Sequence, residues 1–158
     1  MNKILVSFLL WIFVGGAKAE IVISCDGKYS AKVGDHGSMV IKRSKRIVGS
    51  IPLDHAIDGG TFSLDNSYVV VFGLPNEAHV RYAQATQLSL YSVRPRISLV
   101  KKSVYGGGVY SAAFDGSQRF IVVENQFGVD VINIKRKSTR SFDAAYVPQF
   151  RMQRCERK

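Results

Sequence analysis

Three histidines, two cysteines and a few carboxylates are the side chains here with chemistry to offer. His36, His55 and His79 fall in three separate predicted loops and share no metal-site spacing, so each reads as an isolated exposed residue. Cys25 and Cys155 have no CxxC partner and no neighbouring histidine. Such a pair reads as one disulfide of an oxidising compartment rather than a redox or metal pair. Asp26, Asp65 and Asp115 stand in turn signals. Glu124 with Asp58 is a remaining carboxylate pair for acid–base work, and nothing in the sequence brings them to a shared cleft. There is no G-x-S-x-G elbow, Walker loop or G-x-G-x-x-G opening a helix, and Gly106-Gly107-Gly108 leads into a strand. The expectation is a protein without catalytic residues, cofactor or metal.

Charge is the sharper signal. Lys and Arg number 22 against 12 Asp and Glu, a formal +10. Two runs stand out: Lys42, Arg43, Lys45 and Arg46, then Lys135, Arg136, Lys137 and Arg140. The first falls inside its repeat and the second after the last strand of its own, so the two need not share a face. A positive field of this size speeds encounter with acidic partners. The same runs would hold phosphate nonspecifically, but no specific nucleic-acid binding is expected of an exported protein.

Export is read from residues 1–19. Lys3 heads the short apolar run Ile4–Val14, and Ala17-Lys18-Ala19 fits a cleavage site, so the chain is expected to continue from Glu20 as a periplasmic protein. Residues 20–158 read as one domain. Loss of Lys3 and Lys18 leaves +8, and no later segment is apolar enough to cross a membrane.

The elements that must position these residues are strands. Val109–Phe114, a tight Asp115-Gly116 turn with φ > 0, Arg119–Val123, a Glu124–Gly128 turn and Val129–Ile134 form one antiparallel meander. The same grammar covers Gly59–Leu64, Asp65-Asn66, Tyr68–Phe72 and Leu88–Val93, and again Asp26-Gly27, Tyr29–Val33, Met39–Ile41 and Ile47–Ile51. Pro52–Asp58 reads as a linker, and Pro95 with Lys101-Lys102 as the connection to the third repeat. Gly73–Gln87 is the longest irregular insert, either a plain surface loop, with or without a short strand around His79–Tyr82, or a recognition loop. Excess Val, Ile, Tyr and Phe without a long 3.6-residue period argues an all-β fold. Turn marks at Asp26, Asp65 and Asp115 recur at 39 and 50 residues, the range of propeller blades.

Phe62–Val71 and Ala113–Val123 resemble the blade core of WD-repeat and YVTN-type β-propellers. The resemblance implies repeated antiparallel meanders in a small, incomplete or distorted propeller-like domain, since three blades do not close the usual ring. The alternative is a homodimer in which two chains complete one. The pattern at 59–71 and 107–123 is also similar to periplasmic immunity proteins that neutralise peptidoglycan-amidase effectors of type VI secretion. That resemblance implies an exported or injected protein partner, and loops after the second strand of a repeat that enter its active-site cleft. Here those loops hold Leu74, Pro75, Asn76, Glu77, His79, Asn125 and Gln126. The basic charge would then call for an acidic face on the partner. The competing reading is an envelope structural or polyanion-binding protein.

Overall fold

A computed structural model describes residues 21–76 and 85–155. Among them the regular structure is all strand. The first sheet takes β1 (Val22–Ile23), β2 (Tyr29–Val33), β3 (Ser38–Arg43) and β4 (Arg46–Pro52) in chain order. The second takes β5 (Gly59–Phe62), β6 (Tyr68–Gly73), β7 (Thr86–Ser92) and β8 (Ser98–Tyr105). The third takes β9 (Val109–Phe114), β10 (Phe120–Asn125), β11 (Gly128–Asn133) and β12 (Ser138–Phe142). All pairings within the sheets are antiparallel. The result is three four-stranded blades in an unclosed, propeller-like arc.

The second and third sheets each have one strand more at the outer edge than the three-strand meanders expected from sequence. β8 lies where a connection was expected, and β12 runs through the end of the second basic run. Both are edge strands with mostly exposed, polar sequences, SLVKKSVY and STRSF, so neither shows a buried apolar alternation.

The middle sheet is covered on both faces. Val69, Val71, Tyr91 and Val93 pack with Val22, Ala31, Met39 and Ile41 of the first sheet. Val70, Leu88 and Leu90 pack with Phe114, Ile121, Val123 and Ile132 of the third. Period-two alternation in VVV and LSLYS feeds both layers. The innermost strand can approach closely because Gly60 carries no Cβ, which would collide with the backbone carbonyl of Val70.

The turn joining the first two strands of each sheet repeats one hydrogen-bond diagram. Ser24 and Ser63 are buried. Each hydroxyl accepts the backbone N–H five residues on (Tyr29, 2.8 Å; Tyr68, 2.9 Å) and donates to the carboxylate two residues on (Asp26 and Asp65, 2.7 Å each). In the third sheet the two residue types are exchanged. Buried Asp115 accepts from Phe120 N at 2.7 Å, and Ser117 donates its hydroxyl to Asp115. The equivalent residues are therefore Ser24, Ser63 and Asp115, not the three aspartates. The left-handed residue is also displaced from the Asp-Gly pair. It is the fourth of each turn: Gly27 (φ 68°), Asn66 (58°) and Gln118 (59°). The backbone N–H of each returns to the carbonyl of Ser24, Ser63 or Asp115, so the expected two-residue turn at Asp115-Gly116 is replaced by a longer one.

Beyond β12 the chain returns across the outer face of the third sheet. Tyr146 stacks on Phe142 (3.9 Å between ring centres) and Phe150 on Phe120 (5.4 Å). The pairings of β10 with β11 and of β11 with β12 put Phe120, Val122 and Phe142 on that same face. The segment then crosses the ends of the innermost strands. Gly116 N donates to Arg151 O (2.7 Å), Gln153 N to Phe114 O (3.0 Å), and Gln153 Nε2 to Phe62 O (3.0 Å). It finishes in a disulfide between Cys155 and Cys25, whose Cα atoms are 5.1 Å apart and 130 residues apart in sequence.

Two outcomes are expected. Asp115→Ala should destabilise the protein by about 2–4 kcal/mol, because buried N–H groups lose a charged acceptor. Asp115→Ser with Ser117→Asp, which restores the order of the other two sheets, should recover most of it in urea unfolding. Separately, thiol labelling of the unfolded, unreduced protein should find no free cysteine. Replacing Cys25 and Cys155 with Ser should cost up to about 4–5 kcal/mol by the chain-entropy account.

Candidate functional site

In a four-strand meander the turns after the first and third strands share one end, and the turn after the second shares the other with the inter-sheet connections. The three sheets are held in common orientation at the first of these, the lower end. Asn66 Nδ2 donates to Asp26 (3.1 Å) and Leu64 N to Gln118 Oε1 (2.7 Å), lacing the first turns of all three sheets together.

The upper end carries the loops expected to bind. Leu74 is exposed, and its backbone is held on both sides: its N–H donates to Asp58 (3.0 Å) and its carbonyl accepts from Ala56 N (2.7 Å). Pro75 bridges His55. Asn76 N donates to Asp54 O (2.9 Å) and its Nδ2 to Leu53 O (3.0 Å). Glu77 and His79, with the short strand considered around His79–Tyr82, lie outside the described residues. In the β10–β11 turn the Asn125 side chain is buried and accepts Phe127 N (2.9 Å), a bond that shapes the turn. Gln126 is exposed and folds over Gly107, where a Cβ would strike it. Phe127, which sequence reasoning passed over, is 76% exposed at the tip. An aromatic residue directly before Gly128 in a turn was the available signal.

His55 also departs from expectation, since it is buried rather than exposed. Nδ1 lies 2.7 Å from Ala56 O and Nε2 lies 2.9 Å from Ser89 Oγ. Nδ1–H donates to the carbonyl, and Nε2 accepts the serine hydroxyl. His36 sits in the β2–β3 turn, exposed, with φ 54°. Glu124 accepts from Ser111 Oγ (2.9 Å) and Asp58 from Leu74 N, and no hydrogen bond joins the two acids. No group of three His, Cys, Asp or Glu suited to a metal occurs among the described residues, and no helix among them is long and apolar enough to cross a membrane.

The lower end carries the positive charge. Lys42, Arg43, Lys45 and Arg46 form or flank the β3–β4 turn, and Lys135, Arg136 and Lys137 form the β11–β12 turn. The two runs are thus equivalent and share an end, which the sequence left open; β12 supplies the fourth strand that makes them so. The β7–β8 turn between them adds Arg94 and Arg96 around a cis proline, Pro95. Lys28 and Arg119 join from first turns, and Arg151 and Arg154 from the crossing tail. Arg140 stands farther along β12, beside Arg136 in a shallow cavity of about 400 Å³ floored by Phe120 and Val131. Among the described residues the ion pairs are Lys28–Asp26 and Lys102–Asp54. The lower-end aspartates are consumed locally. The Ser24 hydroxyl, with Lys28 N, holds the Asp26 carboxyl below its ordinary value. Burial works against Asp65 and Asp115, but their serine and backbone donors outweigh it and lower both.

No family model matches this chain, and no curated protein matches it. Solved structures do. Hydrazine synthase of Kuenenia stuttgartiensis matches with a TM-score of 0.57 at 12% identity, over 77% of this chain and 34% of that one. The β-propeller domain of Myceliophteria thermophila Cps50 (Swd1) matches at 0.57 and 12%, over 80% and 40%. A eukaryotic initiation factor matches at 0.57 and 11%, over 79% and 32%. The chain spans a third to two-fifths of these structures. At such identities the likeness is one of fold, that of an incomplete propeller.

The buried histidine gives a pH prediction. Burial pushes the His55 imidazole below its ordinary 6.5, against the opposing bond to Ala56 O. The folded protein therefore binds fewer protons here than the unfolded chain. This contribution to stability is complete above about pH 6.5 and is lost as pH falls toward the lowered folded value. Urea midpoints should drop between about pH 7 and 5.5, and His55→Gln should flatten that segment of the profile. An unchanged slope in the variant would refute this role for His55.

Proposed function

We propose that the protein is a non-enzymatic binding module, an exported immunity protein that blocks a cell-wall-degrading peptidoglycan amidase by seating upper-end loops in its active-site cleft. One observation carries this reading: residues 74–76 are tied to residues 53–58 by four hydrogen bonds, three through their backbone and one through the Asn76 side chain, before any partner arrives. A loop held at its stem gives up little freedom on binding. Leu74 and, on the next sheet, Phe127 then present exposed apolar tips from the turns that follow a second strand. The lower-end charges fit a role in association rate, since rim charges steer encounter and buried anchors set dissociation.

A second reading, an envelope or polyanion-binding protein, is favoured by the convergence of three basic turns on one end.

The test measures inhibition of peptidoglycan amidases acting on purified cell-wall sacculi. Leu74→Ser with Phe127→Ser should weaken inhibition by about tenfold or more through faster dissociation. Neutralising Lys42, Arg43, Lys45 and Arg46 should slow association at low salt and change little at high salt. Normal inhibition by the loop variant, with collapse of the charge variant even at high salt, would reject the cleft reading for the second one.

A further inference from the structure

We infer that the lower end is a docking surface for an anionic phospholipid bilayer, which deepens the second of the two readings above and is independent of the inhibitor reading. Its charges are distributed over all three sheets. Lys42, Arg43, Lys45 and Arg46 lie on the first, Arg94 and Arg96 on the second, and Lys135, Arg136 and Lys137 on the third. All nine belong to or flank the same turn of their sheet, and Arg119, Arg151 and Arg154 stand between them and the centre. None of these twelve has a carboxylate within ion-pair distance among the described residues. The three aspartates at this end are turned into their own turns and held there by serine and backbone donors. The surface therefore keeps a large positive excess, these twelve cations against three aspartates.

Apolar side chains interrupt that charge. Leu64, in the first turn of the middle sheet, is 40% exposed beside Arg151 and Arg154. Ile47, the second residue of the strand leaving the first basic turn, is 66% exposed. A soluble polyanion makes use of the charges and gains nothing from Leu64 and Ile47. The interface of a bilayer accepts both, with phosphates against Lys and Arg and acyl-chain boundary against apolar tips. Charge complementarity and this interleaving together favour the lipid surface. The arrangement also leaves the upper-end loops pointing away from that surface.

The experiment is co-sedimentation of the purified protein with vesicles of phosphatidylcholine, alone and with about one-third phosphatidylglycerol. Binding should require the anionic lipid and weaken with salt. Each basic residue near the surface contributes about fivefold, so replacing Lys42, Arg43, Lys45 and Arg46 by Gln should lower partitioning by about two orders of magnitude or more. Replacing Lys135, Arg136 and Lys137 by Gln tests the same surface from the opposite sheet, with folding of each variant checked by circular dichroism. Leu64→Ser should reduce the binding that survives at raised salt. Lys32→Gln with Lys102→Gln, away from this end, should leave partitioning within about twofold. The proposal is overturned by absence of binding to anionic vesicles at low salt, by equal binding to pure phosphatidylcholine, or by equal sensitivity to the Lys32 and Lys102 changes. Tighter binding to polyglutamate or duplex DNA than to vesicles at matched charge, with Leu64→Ser neutral, overturns it in favour of a soluble polyanion. Amidase inhibition in solution is unaffected by any of these outcomes, so failure here and failure of the inhibitor reading remain distinguishable.

Discussion

An arc of three sheets leaves two outer faces without a neighbouring sheet, and the rest of the structure is arranged around that deficit. The middle sheet is satisfied by its position, with Val69 and Val71 facing one way and Val70 the other. The third sheet is satisfied by its own chain. Phe150 on Phe120 and Tyr146 on Phe142 are stacked aromatic contacts on the face that carries Val122, which is buried. The first sheet keeps Ile23 and Ile47 exposed on its outer side and is held in place at its end, where Cys25 meets Cys155. The tail that covers one face is thus the same segment that fastens the other sheet. In a closed ring each sheet would receive this support from two neighbours.

Meander parity converts scattered charge into a polar molecule. Successive turns alternate between the ends of a sheet, so a residue's end is fixed by which turn it occupies, whatever its distance in sequence from other charges. Lys42–Arg46, Arg94–Arg96 and Lys135–Lys137 all occupy the turn after a third strand. Asp54 and Asp58, by contrast, lie in the connection between sheets, at the other end, where Asp54 pairs with Lys102. A positive lower end and a loop-bearing upper end give two surfaces that need not compete.

Strand-forming stretches with a buried face were legible in the sequence. Tyr68–Phe72 and Val109–Phe114 carry β-branched and aromatic residues between clear turn signals, and both are strands at nearly those bounds. The edge strands were not legible, because an outer strand packs little and its composition approaches that of a loop. That omission has a further effect: without β12 the second basic run falls after its sheet, and its equivalence to Lys42–Arg46 is hidden. The repeat register was obscured by chemistry of a different kind. Serine and aspartate oxygens can each accept the same backbone N–H, so the letters at 115 and 117 exchange while the turn stays the same. Burial of His55 and Asn125 was equally hidden, since polar residues in loops give no sign of whether tertiary neighbours enclose them. The pairing of Cys25 with Cys155 was readable because only two cysteines exist.

The bond joining Cys25 to Cys155 also determines how the fold carries mechanical load. Tension applied to the chain before Cys25 and after Cys155 passes directly between the two sulfurs. The 130-residue span between them, which holds β2 through β12, remains slack and its sheets are not sheared. Among the strands of the described residues, only β1, two residues paired with Ser30 and Ala31, lies outside this bypass and can be peeled by such a pull. The protein is therefore compliant at one short strand and stiff everywhere else along that axis.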